Sequence, residues 1–144
     1  MKIRLATLRD AEAIAQTEKL AREDGWSRNA VQDSLDKAHV FSLIAETEGE
    51  PVAHVLGTKV ADEAEILTIA VRPIHRRQGV ARALLQRCYD DWSTAGIQSG
   101  YLEVRHSNQG ARALYQQSGW EEIGHRAGYY RDGETAVLMR WSPS

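Results

Sequence analysis

"VRPIHRRQGVARALL", residues 71–85, sets four arginines and a histidine around one glycine and then turns into an apolar helical pattern. The stretch holds no acidic residue, although the whole chain has a formal net charge of -2. "AEILTIAV" (64–71) leads into it and is apolar at almost every position, which predicts a strand buried on both faces. After Gly79, the residues Val80, Leu84, Cys88 and Trp92 recur at helical spacing, with Leu85 and Tyr89 widening the stripe and Gly96 closing it. A strand, a basic loop and a helix N-terminus in succession make an anion site. Free backbone N–H groups and the positive end of the helix dipole point at the same place. Gly79 lets the backbone approach a phosphate closely, small Ala81 keeps the next turn open, and the arginines add forked, charge-assisted contacts. A solvated basic helix cap accounts for a bare arginine cluster equally well, and the GxxxxGK[ST] phosphate loop is absent.

Outward from this junction, "KIRLA" (2–6) alternates like a strand, and Arg9-Asp10 opens a helical stretch through about Arg22. Ser27 caps a second helix near 28–38, and "HVFSLIAET" (39–47) and "PVAHVLGTKV" (51–60) read as two strands. "SGYLEVR" (99–105) is a further strand, and Asn108 to Ser118 a helix carrying Ala111, Leu114 and Tyr115 on one face. Residues 120–141 read as a closing hairpin that turns at Asp132-Gly133. The order predicts an α/β (α+β) chain: one domain over 1–144, a mixed sheet and about four helices on its two sides.

The chain of 144 residues, 42% hydrophobic and 26% charged, is long enough for one real core. Its apolar runs are too short to span a bilayer, and "MKIRLATLRD" lacks a signal-peptide pattern, so a cytoplasmic protein with no membrane partner is expected. Cys88 is the single cysteine, which excludes an internal disulfide and a cysteine-based zinc site; the five histidines show no metal spacing, so no metal is assigned. A slight negative charge argues against a nucleic-acid partner.

"VRPIHRRQGVA" resembles the V-x-P-x-x-R/Q-x-x-G-x-G/A motif of the GNAT N-acetyltransferases, whose ligand is acyl-coenzyme A. "YLEVRHSNQGARALYQQSGW" (101–120) and "GYYRDGETAVLMRW" (128–141) are similar to stretches of the ribosomal-protein-alanine N-acetyltransferase subgroup. The resemblance implies a sheet splayed between two strands and acetyl-CoA as cosubstrate. It assigns the pantetheine arm to Ile69, Ala70 and Val71, with Asn108 opposite. It assigns the pyrophosphate to Arg77, Gln78, Gly79, Val80, Ala81 and Arg82. The acceptor it implies is a protein N-terminus, the alanine of ribosomal protein S18.

Acetyl transfer from a thioester to an amine moves two protons. Alternation sets the Glu103 side chain opposite Leu102 and Val104, and a carboxylate among apolar neighbours needs partners or a task. A strand-end glutamate paired with Arg105 or Arg126 is the plainer account of the residue. The resemblance makes Glu103 the general base, an undemanding task for an α-amine of pKa ~8. It makes Tyr115 the general acid that protonates the departing coenzyme A sulfur; helix position alone suits core packing. Cys88, on the apolar stripe, is rejected as a covalent nucleophile. Trp26, Tyr129 and Tyr130 resemble the walls of the subgroup's peptide slot, although strand propensity accounts for paired tyrosines as well. Gly25 replaces a usual proline and Gly128 a usual asparagine. Both are expected to loosen the slot, which keeps a lysine side chain or a small amine open as acceptor. A non-catalytic acyl-CoA-binding domain is the rival outside enzymes.

Overall fold

The structure, a computed structural model, describes residues 1–143. Seven strands form one sheet, β1 (Lys2–Leu5), β2 (Val40–Thr47), β3 (Glu50–Val60), β4 (Glu63–Val71), β5 (Ser99–Arg105), β6 (Trp120–Arg126) and β7 (Ala136–Trp141). Their spatial order is β1-β2-β3-β4-β5-β7-β6, so the last strand inserts between β5 and β6. Every pairing is antiparallel except β4 with β5, which the crossover helix α3 (Val80–Ala95) makes parallel. Helices α1 (Ala11–Ala21), α2 (Arg28–Leu35) and α4 (Gln109–Gln117) complete the chain. Ser27 caps α2 as expected, its Oγ accepting from the Ala30 N–H at 3.1 Å.

Two cores sandwich the sheet. On one face Leu84, Leu85, Cys88 and Trp92 of α3 pack against Val55, Leu102 and Met139. Trp92 meets the edges of Phe41, Trp120 and Trp141 there, and Trp120 Nε1 donates to the Tyr89 hydroxyl at 2.7 Å. On the other face Ala11 and Ile14 of α1 and Val31 of α2 cover Ile44 and Leu56.

Strand β4 departs from the expectation of burial on both faces. Leu56 pairs with Thr68 but Gly57 with Ile66, so Leu67 is an extra residue, a bulge that bends the strand and switches its facing. Ala64 and Ile66 point into the α3 core, while Thr68 and Ala70 are buried on the α1 face and Glu65 and Leu67 are exposed. The run is apolar throughout because its two halves bury opposite faces.

The final hairpin departs too. Residues 127–135 form an irregular loop between β6 and β7, and Asp132-Gly133 makes a local turn inside it, closed by Gly133 N–H to Tyr130 O at 2.8 Å. Tyr129 and Tyr130 therefore stand in a loop, not a strand. Charge-assisted bonds from Arg105 to Asp132 and Glu134 hold this loop to the end of β5, which outweighs continuing the ladder.

Candidate active site

Parallel pairing of β4 and β5 ends at Ile66 with Leu102, one residue before the bulge. Beyond it the strands part, and a cavity of about 940 Å³ fills the gap. The Arg72 N–H donates to Val52 O, so alternation commits Ala70 and Thr68 to β3 and leaves the backbone of Ile69 and Val71 facing the gap. Both free carbonyls accept from arginines: Ile69 O from Arg22 Nη2 at 2.7 Å, Val71 O from Arg76 Nε at 3.3 Å. Ala70 lines the cavity too, between these two residues. An unpaired strand edge of this kind can add an amide-bearing ligand as though it were another strand.

The basic loop closes one end of the gap. Arg77 (φ +62°) and Gly79 (φ +78°) both adopt the left-handed conformation, which folds the loop beneath the start of α3. Gly79 is the helix N-cap and offers no side chain to the first-turn N–H groups, which stay open to an anion. A Cβ on Gly79 would meet nothing within 4 Å, so φ rather than space demands glycine there. Arg77, Gly79, Val80, Ala81 and Arg82 line the cavity, and Arg82 Nη2 is tied to Gln117 Oε1 at 3.1 Å; Gln78 is exposed outside it. An anion-accepting turn joined to a free strand edge fits a long ligand with phosphates at one end and amides along its length. Asn108 lines the opposite wall and caps α4, its Oδ1 accepting from the Ala111 N–H at 3.1 Å.

Glu103 and Tyr115 reach the cavity from opposite faces of the sheet. Glu103 projects on the α1 face, with Tyr101 and Arg105, while Tyr115 belongs to the α3-side core. The Glu103 side chain is 23% exposed and stands 3.6 Å from Arg126 Nη1, so Arg126, not Arg105, is its ion-pair partner. The Tyr129 phenol is pushed up chiefly by the neighbouring Glu103 carboxylate. Burial, and then the charge of Glu103, push the Glu65 carboxyl up as well. Tyr115 is buried against Trp120, ring centroids 6.0 Å apart, and burial raises its phenol well above the ordinary value. Cys88 is buried, and its thiol is pushed up to about 12, which suits packing and not attack.

On the α1 face the walls depart from expectation at Gly25. Gly25 does not loosen the slot: a Cβ there would stand 2.6 Å from Glu18 O, so the chain packs tightly because the residue is glycine. Gly128 has φ +64° with open space around it, a conformation asparagine also tolerates. Trp26 and Tyr130 line the cavity; Tyr129 lies beside Tyr130, edge to face at 5.1 Å, but outside the lining and largely exposed.

The roles of Arg22, Arg76 and Arg105 in the structure carry no sequence signal, since most of their partners are backbone carbonyls or carboxylates more than a dozen residues away. Glu18 is the other omission. Buried at the back of the slot, its Oε2 accepts from Thr68 Oγ1 at 2.9 Å and meets His54 Nε2 at 2.6 Å, while its Oε1 accepts from the Trp26 N–H at 3.3 Å. Its polar position on α1 carries no such signal. Among the described residues no helix is long and apolar enough to cross a membrane, and no group of three His, Cys, Asp or Glu side chains is placed to hold a metal ion.

Comparison with known proteins bears on what this gap is for. Residues 6–120 match the Acetyltransferase (GNAT) family. The chain is 34% identical over 133 residues to the [ribosomal protein bS18]-alanine N-acetyltransferase of Escherichia coli, covering 90% of this chain and 89% of that one. It is 33% identical over 141 residues to the N-alpha-acetyltransferase RimI of Mycobacterium tuberculosis, covering 93% and 87%. The crystal structure of the ribosomal-protein-S18-alanine N-acetyltransferase from Escherichia coli superposes with a TM-score of 0.93 at 32% identity, over 99% of this chain and 94% of that one. A splayed sheet with an anion-accepting turn at the gap, matched in sequence over most of its length, makes this chain an acetyl-CoA-dependent N-acetyltransferase of the GNAT family.

Proposed function

We propose that the chain, one acetyltransferase domain over 1–144, acetylates the N-terminal α-amine of a protein in the cytoplasm, that of the S18 alanine, with Glu103 as general base and Tyr115 as general acid. The names of the relatives support the acceptor. The observation that carries the mechanism is that Glu103 and Tyr115 enter one cavity from opposite faces of the sheet, at the point where β4 and β5 part.

Acetyl-CoA, when bound, supplies an acetyl group activated as a thioester. Ile69 and Val71 offer their carbonyls to its amide arm; each already accepts one bond, from Arg22 or Arg76, and has a second lone pair. Gly79 to Arg82, with Arg77, receive the phosphates. At the acceptor end, Glu103 takes a proton from the arriving ammonium, directly or through one water. The amine nitrogen then bonds the acetyl carbon as the carbon–sulfur bond breaks. Tyr115 delivers a proton to the sulfur, and the nitrogen sheds its second proton to water to become the amide. Glu103 and Tyr115 return to their starting states by losing and regaining one proton, respectively, through solvent. Burial raises the Tyr115 phenol, so handing its proton to a fully formed thiolate is more uphill than the usual tyrosine value of pKa ~10 implies. The residue acts best as a hydrogen-bond donor while charge grows on sulfur, completing the transfer as the leaving group departs.

The test uses two peptides with acetyl-CoA, reading thiol release and product mass. One begins with free alanine and has no lysine; the other has a blocked N-terminus and internal lysines. Acetylation of the first supports the proposal, and modification of the second alone overturns the acceptor. A lysine side chain or a small amine stays the alternative acceptor: the close packing of Gly25 argues against a widened slot on that side, while open space surrounds Gly128.

A further inference from the structure

Arg105 ends β5 on the same face as Glu103, two residues further on, and its guanidinium turns to the rim of the cavity. Nη2 donates to Asp24 Oδ2 at 3.0 Å, in the turn between α1 and α2. Nη1 donates to Asp132 Oδ2 at 2.9 Å and Glu134 Oε1 at 3.0 Å, in the loop between β6 and β7. Cζ lies 4.1 Å from the centroid of the Tyr130 ring. One cation thus joins two segments that are remote in sequence and form opposite rims of the acceptor side. The loop rim is organised on the same carboxylates. Glu134 Oε2 accepts from the Ser107 N–H at 2.7 Å, Asp132 Oδ1 from the Glu134 N–H at 3.0 Å, and Glu134 O from the Tyr130 N–H at 3.2 Å.

We propose that Arg105 is a positioning residue for the acceptor: by clasping Asp24 to Asp132 and Glu134 and seating Tyr130, it sets the width of the mouth through which the amine reaches Glu103. The proposal rests on the acceptor side assigned above. A single exposed ion pair contributes little, but one planar fork shared among three carboxylates and stacked on an aromatic ring has one geometry. Lysine cannot reproduce it, being a point charge on a flexible stem. The Asp24 and Asp132 side chains are 65% and 62% exposed, so no core packing depends on them; what they order is the mouth.

The experiment compares wild type, Arg105→Gln, Arg105→Lys and Asp24→Asn in three measurements. These are steady-state kinetics on the alanine-starting peptide, calorimetric binding of acetyl-CoA, and amide exchange at Tyr130, Gly133 and Ser107 and in residues 22–26. Arg105→Gln is expected to raise the acceptor KM about tenfold or more while kcat falls no more than about threefold, a size typical of a misplaced slot. Its acetyl-CoA affinity stays unchanged, and exchange quickens in both segments. Arg105→Lys recovers only part of the KM, and Asp24→Asn by itself raises the acceptor KM as well. An unchanged acceptor KM in Arg105→Gln and Asp24→Asn overturns the proposal, as does a parallel loss of acetyl-CoA binding. Should wild type leave the peptide untouched, the acceptor reading fails, and amide exchange alone judges the clasp: unchanged exchange in either segment overturns it.

Discussion

Glu18 Oε2 lies 2.6 Å from His54 Nε2, and both side chains are shut away from solvent behind the wall that carries Trp26. Burial drives the Glu18 carboxyl up, but the hydrogen bond and charge of His54, the charge of Arg22 and the Thr68 hydroxyl outweigh it, and the group is held below the usual carboxylate range. The pair thereby fastens α1 to β3 and β4 and fixes the turn leading to Trp26. Breaking it by Glu18→Gln is expected to cost about 1–3 kcal/mol, because the buried polar groups that face the carboxylate lose their partner. Chemical denaturation measures that loss, and a cost under about 1 kcal/mol contradicts the assignment.

Removing the base tests the α1-face half of the site. Glu103→Gln is expected to lower kcat by about 100-fold or more near neutral pH. The variant's rate should climb with pH up to the acceptor's own pKa, ~8 for an α-amine, since only amine already deprotonated can react. Acetyl-CoA affinity should hold, because Glu103 faces the acceptor. A variant with wild-type kcat at neutral pH refutes the role.

Tyr115→Phe removes one hydroxyl and keeps the ring packed on Trp120. A fall in kcat of about 10- to 100-fold is expected, with little change in either KM. Unfolding should shift by less than about 1.5 kcal/mol. Loss of stability without loss of turnover would return the residue to core packing alone.

Gly25→Ala probes the tight turn. Its new Cβ would lie 2.6 Å from Glu18 O, a backbone atom that has no room to yield. We expect about 1–3 kcal/mol of destabilisation, and a raised acceptor KM as Trp26 shifts. Equal stability would show that the α1–α2 turn relaxes freely.

Acid should release the loop between β6 and β7. Glu134 is held down to about 2, chiefly by the hydrogen bonds from Ser107 and then from Arg105. A carboxyl whose folded value lies below its unfolded one, ordinarily ~4.3, contributes fully above that unfolded value. The contribution fades as pH falls from there through about 2. The Ser107 amide resonance should follow that window, and Glu134→Gln should abolish the dependence. A transition centred above pH ~4.3 contradicts the assignment.

Much of this molecule follows from sequence alone, because the relevant forces are local. The α3 stripe of Val80, Leu84, Cys88 and Trp92, the Ser27 cap and the glycine at the head of the anion loop are set by helical period, capping chemistry and φ. The basic turn between strand and helix is legible for the same reason, since its residues are neighbours in the chain. Position alone does not tell a base from a paired glutamate at Glu103, nor an acid from a packed tyrosine at Tyr115; the motif resemblance raised those roles.

What only the tertiary structure decided involves partners distant in the chain. The bulge at Leu67 depends on register with β3, and through it β4 leaves β5 and opens the gap. The insertion of β7 between β5 and β6 brings the 127–135 loop to the end of β5, where Arg105 meets Asp24, Asp132 and Glu134. Glu18 finds His54 and Thr68 only once α1 lies on the sheet. A side chain's charge and size are written at its own position, but its partner is chosen by which strands pair and in what register.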